Sequence, residues 1–184
     1  MERTGGAPAK ERPLFVWDAS FELMLYAFVE SILENDKITK KNEVVETWGS
    51  DTGQKLIEIL TREQSQSFKD DLEVMKFICT PVWKYMFNKG VDNLKTNNKG
   101  VYILSDNEFK LIGKIVQAGD SIVEKHLHRS RISLYLSYIN GLVRGCLDNL
   151  GLSASVSAVF EANALSITCT LKDETAAAAG PTSM

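Results

Sequence analysis

Ser155-Val156-Ser157-Ala158-Val159-Phe160-Glu161-Ala162-Asn163-Ala164-Leu165-Ser166-Ile167-Thr168-Cys169-Thr170-Leu171 is the stretch on which the fold turns. Leu165, Ile167, Cys169 and Leu171 alternate with Ser166, Thr168 and Thr170. A period of two puts every apolar side chain on one face, as in a half-buried strand. Val156, Ala158 and Phe160 supply its hairpin mate, and the chain reverses at Glu161–Asn163. Just upstream, Ser130–Leu150 carries Ile132, Leu134, Leu136, Ile139, Leu142, Val143 and Leu147 at helical spacing and stops at Gly151. Glycine suits the left-handed position that closes a helix. A long helix running into a hairpin calls for an antiparallel sheet with helices laid on it.

Working outward, a second hairpin is expected at Val91–Thr96 and Val101–Ser105, joined by the turn residues Asn97-Asn98-Lys99-Gly100. Three helices precede it. Asp18 reads as the N-cap of a helix over Ser20–Glu34, a second runs over Val44–Thr61, and a third starts near Ser67 with Asp70 and Asp71 in its first turns. Pro81 should break or kink that third helix before Trp83–Phe87, because proline removes a donor and clashes with the preceding turn. Phe109–His128 holds one short element. The sum is an α+β fold with one small antiparallel sheet.

At 184 residues the chain is one domain. Residues 1–13 and 174–184 read as a disordered arm and a disordered tail around a domain over 14–173. Its 24% charged and 44% hydrophobic residues are ordinary for a soluble globular protein. A net charge of −3 argues against nucleic acid as a partner, since such binding rests on a basic surface. The longest apolar stretch, Leu23–Val29, is far shorter than the ~20 residues a membrane span requires. The first residues lack the apolar core of a signal peptide. Three scattered cysteines make no disulfide framework and fit a reducing, cytoplasmic setting.

No constellation for catalysis is visible. His126 and His128 would face different sides of a helix or share one face of a strand, and in either case no ligand-spaced cysteine or carboxylate sits beside them, so no metal is expected. Neither phosphate-binding glycine motif occurs, and no cofactor is implied. Gly49-Ser50-Asp51-Thr52-Gly53 lacks the spacing of a nucleophile turn. Asp70, Asp71 and Glu73 read as a solvated helix face. Cys79, Cys146 and Cys169 fall on apolar faces and read as small buried hydrophobes. An interaction protein is favoured over an enzyme.

The first helix points the same way. One apolar stripe is Phe21, Leu25, Phe28 and Ile32; a second is Leu23, Met24 and Ala27 with Tyr26. A helix apolar nearly all round is buried on two sides; in a small domain the second side belongs either to a partner chain, the reading favoured here, or to the chain's own core. The candidate partner interface is Phe21, Leu25, Phe28 and Ile32 with Leu56 and Leu60 from the second helix. Gly49 and Gly53, four apart on one face, permit a close helix approach, as does Gly145. Arg144 is either paired with a buried acid or an exposed helix arginine.

Four segments carry a family resemblance. They are Gly49-x-x-x-Gly53-Gln54-x-Leu56-x-Glu58-x-Leu60; Asp71–Cys79 followed by Trp83; Asp92–Asn97 through Gly100–Leu104 with Asp106-Asn107-x-Phe109; and Gly141-Leu142-Val143-Arg144-Gly145-x-Leu147-x-x-Leu150-Gly151. In this order they resemble the Bet-three-like family of small subunits of the transport protein particle (TRAPP), in its subunit-six branch. The resemblance implies helices packed on one face of a small twisted four-stranded antiparallel sheet. It implies a heterodimer with a Bet-three-type subunit through the helical side, and contact with other TRAPP core subunits. The implied role is architectural and non-catalytic, in a vesicle-tethering complex that promotes guanine-nucleotide exchange on a Rab-family GTPase. The implied place is cytoplasmic, peripheral to Golgi and ER–Golgi membranes. The alternative is a lipid- or small-ligand-binding domain with an apolar tunnel. Against it, Glu63–Ser67, where the Bet-three-type paralogue carries its acylated cysteine, has none. Pro81 departs from the family pattern, and Lys37–Glu43, Ile115–Arg131 and both ends match it poorly.

Overall fold

The computed structural model describes residues 15–62, 67–116 and 122–172. The expectations for residues 1–13 and 174–184 lie outside them. In chain order the elements are α1 (Phe15–Glu34), α2 (Lys41–Arg62), α3 (Asp71–Phe77), a π-helical turn (Ile78–Val82) and α4 (Trp83–Phe87). There follow β1 (Asn93–Thr96), β2 (Val101–Asp106), α5 (Lys110–Val116), α6 (Ile122–Asn149), β3 (Ala154–Glu161) and β4 (Ala164–Leu171). The strands form one antiparallel sheet in the order β1-β2-β4-β3.

The alternation in the C-terminal hairpin decides which face of the sheet is covered. Leu165, Ile167 and Cys169 of β4 are buried, as are Tyr102 and Leu104 of β2 and Ala154 and Ala158 of β3. Register places Tyr102 beside Cys169 and Leu104 beside Ile167, so these side chains form one apolar row under the helices. The opposite face shows Ser155, Ser157, Ser166, Thr168 and Thr170. The β3–β4 turn uses Ala162 and Asn163 at positive φ, the left-handed pair that a two-residue hairpin requires.

The centre of the domain is the crossing of α2 and α6. Gly49 and Gly53 of α2 face Gly141 and Gly145 of α6. An added Cβ at Gly49 would strike the Tyr138 carbonyl, and one at Gly53 the Leu142 carbonyl. One at Gly141 would strike Glu46, and one at Gly145 would strike Ser50, again on the backbone. The two backbones are therefore in direct contact, which only glycine allows. Leu56 and Ile57 of α2 and Tyr138, Leu142 and Cys146 of α6 close the core around this seam.

Three local expectations need correction. α1 begins at Phe15, so Asp18 lies in its first turn and is not the N-cap. α6 begins at Ile122, eight positions before Ser130, and absorbs the second half of the segment read as mixed. Its charged start hid the helical period. Pro81 interrupts the regular α-helical ladder, as expected, through a π turn that leads on into α4. The helix widens by one residue per turn, and the Trp83 amide donates to the Ile78 carbonyl five residues back. That wider turn gives the proline ring room while the helical run continues. The third helix starts at Asp71 and not near Ser67, capped by Asp70, whose carboxylate accepts from the Glu73 amide at 2.8 Å.

Candidate partner interface on the helical side

α1 lies across α2 and α6, and its two stripes separate cleanly. Leu25, Val29 and Ile32 are buried in the chain's own core. Phe21 and Phe28 flank them: the Phe28 ring sits 4.2 Å from Trp48 between centroids, and Phe21 sits 6.4 Å from Tyr138. Trp48 and Tyr138 are themselves 5.0 Å apart, so one aromatic cluster ties α1 to α2 and α6. On the other side of α1, Leu23 is 67% exposed, Met24 54% and Tyr26 45%, and Ala27 is exposed beside them. Val44 and Ile59 are the large apolar residues that α2 turns to solvent.

Burial divides the six interface candidates drawn from periodicity. Leu25, Ile32 and Leu56 belong to the intramolecular core. Phe21, Phe28 and Leu60 are partly buried and pack against that core. The stripe turned outward is the second one, Leu23, Met24, Tyr26 and Ala27. Sequence showed both stripes and could not rank them, since which faces inward depends on how α1 is rotated on α2 and α6.

One ion pair and one contact to a backbone carbonyl fix α1 against its neighbours. Glu30 of α1 accepts from Nε and Nη2 of Arg131 on α6, with Nη2 2.8 Å from Oε2. The pairing raises the Arg131 pKa, keeping its charge secure. Lys41, at the start of α2, donates to the Leu33 carbonyl at 2.7 Å, near the end of α1. Arg144 of α6 pairs with Glu46 of α2, so it is a half-buried, paired arginine beside the glycine seam.

A second polar cluster, unanticipated from sequence, fastens α4 to the sheet. Asp106 ends β2 at 2% exposure. It accepts from Trp83 Nε1 at 3.0 Å and from Lys89 Nζ at 2.7 Å. Lys89 also reaches Asp92 at 3.2 Å, and Asp92 accepts from the Asn107 amide at 2.7 Å. The amide first and Lys89 second hold the Asp92 carboxyl below its ordinary pKa. Every donor here has a partner within this chain, so the cluster reads as a brace.

Cys79, Cys146 and Cys169 are buried and unpaired with one another, and burial pushes each thiol up to about 12. His126 and His128 sit two apart on α6, and among the described residues no cluster of His, Cys, Asp or Glu could hold a metal ion. Asp70, Asp71 and Glu73 are spent on capping and solvation. Among the described residues no helix is long and apolar enough to cross a membrane.

With this geometry in hand, the profile of the transport protein particle (TRAPP) component family matches residues 21–175. The chain belongs to the TRAPP component family. Mouse trafficking protein particle complex subunit 6B is 41% identical over 126 residues, 68% of this chain and 73% of the relative. Bovine subunit 6A is 35% identical over 115 residues, 62% and 67% of the two chains. The TRAPP subunit 3 of Naegleria fowleri, whose crystal structure is described as covalently bound to palmitic acid, aligns over 86% of this chain and 96% of its own. Its TM-score is 0.67 at 17% identity, a likeness of fold. The α+β architecture expected for a TRAPP small subunit, helices on one face of a four-stranded antiparallel sheet, is the one observed.

Proposed function

We propose that this TRAPP component is a non-catalytic architectural subunit that pairs with a Bet-three-type subunit through the outward side of α1. The observation carrying this reading is the stripe Leu23, Met24, Tyr26 and Ala27, left bare on a helix whose other side is already packed. Exposed apolar side chains clustered on one helix face mark a contact surface. Val44 and Ile59 of α2 would flank it. Phe21, Phe28 and Leu60 would support the interface from behind and not touch the partner directly. In this reading the chain contributes position, not chemistry, to nucleotide exchange on a Rab-family GTPase. Its place is cytoplasmic, on Golgi and ER–Golgi transport membranes, reached through the assembled complex.

The test is light-scattering mass analysis of the chain co-expressed with a Bet-three-type subunit. A 1:1 complex is expected, and Leu23→Asp should abolish it while leaving the fold intact, because Leu23 makes few contacts within the chain. Phe28→Asp should damage both, since Phe28 stacks on Trp48. Retention of the wild-type complex by Leu23→Asp and by Met24→Asp would refute the interface.

A further inference from the structure

The two edges of the sheet differ. β1 is four residues long and carries an exposed Lys95, features that discourage strand addition. β3 is eight residues long with no lysine, proline or bulge. Among the described residues no strand lies on its far side, and α6 covers its inner face.

Which backbone groups of β3 point outward follows from one bond. The Lys172 amide donates to the Ser153 carbonyl at 2.8 Å. Ser153 and Lys172 continue the register in which Ala154 opposes Leu171, so they form a hydrogen-bonded pair. In an antiparallel ladder such pairs alternate. Ser155, Ser157, Val159 and Glu161 therefore bond to β4, and the two-residue turn closed by Glu161 and Ala164 agrees. The amides and carbonyls of Ala154, Val156, Ala158 and Phe160 point away from the sheet.

We propose that this edge pairs with the same edge of a second copy of the chain, antiparallel about a two-fold axis at Ser157. That register gives every outward backbone group a partner: Ala154 opposes Phe160, and Val156 opposes Ala158. A shift by two residues in either direction strands an end. Side chains are complementary in size, since Ala meets Phe, Ala meets Val and Ser155 meets Val159. The lone charge, Glu161, falls opposite Ser153 and not opposite its own copy. The contact joins two four-stranded sheets into one and leaves the helical side of each copy open, so it is separate from the pairing proposed above.

The test uses the full chain in a Leu23→Asp background, which removes association through α1. Ser157→Cys places two thiols across a non-hydrogen-bonded pair about 4.5 Å apart at Cα, within disulfide reach. The native cysteines are buried and do not compete. Ser155→Cys, opposite Val159, is the control. Mild oxidation should yield covalent dimer from Ser157→Cys at least ten-fold faster than from Ser155→Cys. Adding Val156→Pro should abolish that, because proline deletes an outward amide and spares the β3–β4 ladder. Equal rates for the two cysteine variants would overturn the proposal. So would a chain that stays monomeric and uncrosslinked, including the case where an extended segment of another protein takes the edge. The cysteine comparison stands even where Val156→Pro fails to fold.

Discussion

Gly145→Ala tests whether the α2–α6 seam is a true backbone contact. Helix propensity alone predicts stabilisation, since alanine is better than glycine by about 1 kcal/mol in a helix interior. The geometry predicts the opposite sign. The new Cβ would strike the Ser50 carbonyl, with the carbon and Cα of Ser50 behind it at 2.7 and 2.8 Å. Backbone cannot rotate aside as a side chain can, so the helices must part. Overpacking of a core costs typically 1–3 kcal/mol, and a clash with rigid backbone belongs at or above the upper end. Set against the propensity gain, the net loss should be about 2 kcal/mol. With a urea slope of about 2 kcal/mol/M, the unfolding midpoint falls by roughly 1 M. Gly113→Ala in α5 is the matched control. There an added Cβ meets Asn163 Oδ1 at 3.6 Å, an ordinary contact. That variant should be unchanged or more stable by up to about 1 kcal/mol. Urea unfolding followed by circular dichroism reads both. A Gly145→Ala protein as stable as wild type would show that the helices have slack at the crossing, and the seam would lose its explanation.

Asp106→Ala should cost about 2–3 kcal/mol, because it strands the buried Trp83 Nε1–H and removes the partner of Lys89; a thermal scan with unchanged midpoint would contradict this. Asp92 has a depressed pKa when folded, so its contribution is present above the ordinary carboxylate range and is lost as pH falls through the folded value. The stability gap between wild type and Asp92→Asn should therefore be widest near neutral pH and close below about pH 4, and a gap that widens on acidification would reverse the sign. Cys79, Cys146 and Cys169 should resist a thiol reagent at pH 8 in the native protein and all react after denaturation. Rapid labelling of a native thiol would show an opening that the packing does not contain.

Much of the architecture was legible because it is written locally. The period of two in Leu165–Leu171 needs no knowledge of neighbours to announce a strand, and Asn97–Gly100 and Glu161–Asn163 announce their turns by residue type. Gly49 with Gly53, and Gly145, foreshadowed a close approach; that Gly141 shares the same seam came only from the fold. Burial of the three cysteines followed from the stripes they occupy.

Other features had no local signature. Pro81 has the same sequence meaning whether a helix stops or widens; the packing of Ile78, Cys79, Val82 and Trp83 into the core held the run together. Asp106 looked like any strand-end acid until the fold brought Trp83 and Lys89 to it from more than a dozen residues away. The start of α6 was masked by charged residues whose helical period is weak.

Sequence by itself determined that this chain is an α+β TRAPP-family domain, that its first helix is apolar on two sides, and that no catalytic constellation stands out in it. Tertiary structure decided which side of that helix is spent on the core. Periodicity defines stripes only relative to the helix axis, and nothing in α1 alone states how the helix is rolled. The roll comes from partners distant in sequence: Arg131 gripping Glu30, and Trp48 and Tyr138 receiving Phe28 and Phe21. Those contacts draw Leu25 and Ile32 inward and leave Leu23, Met24 and Tyr26 facing out.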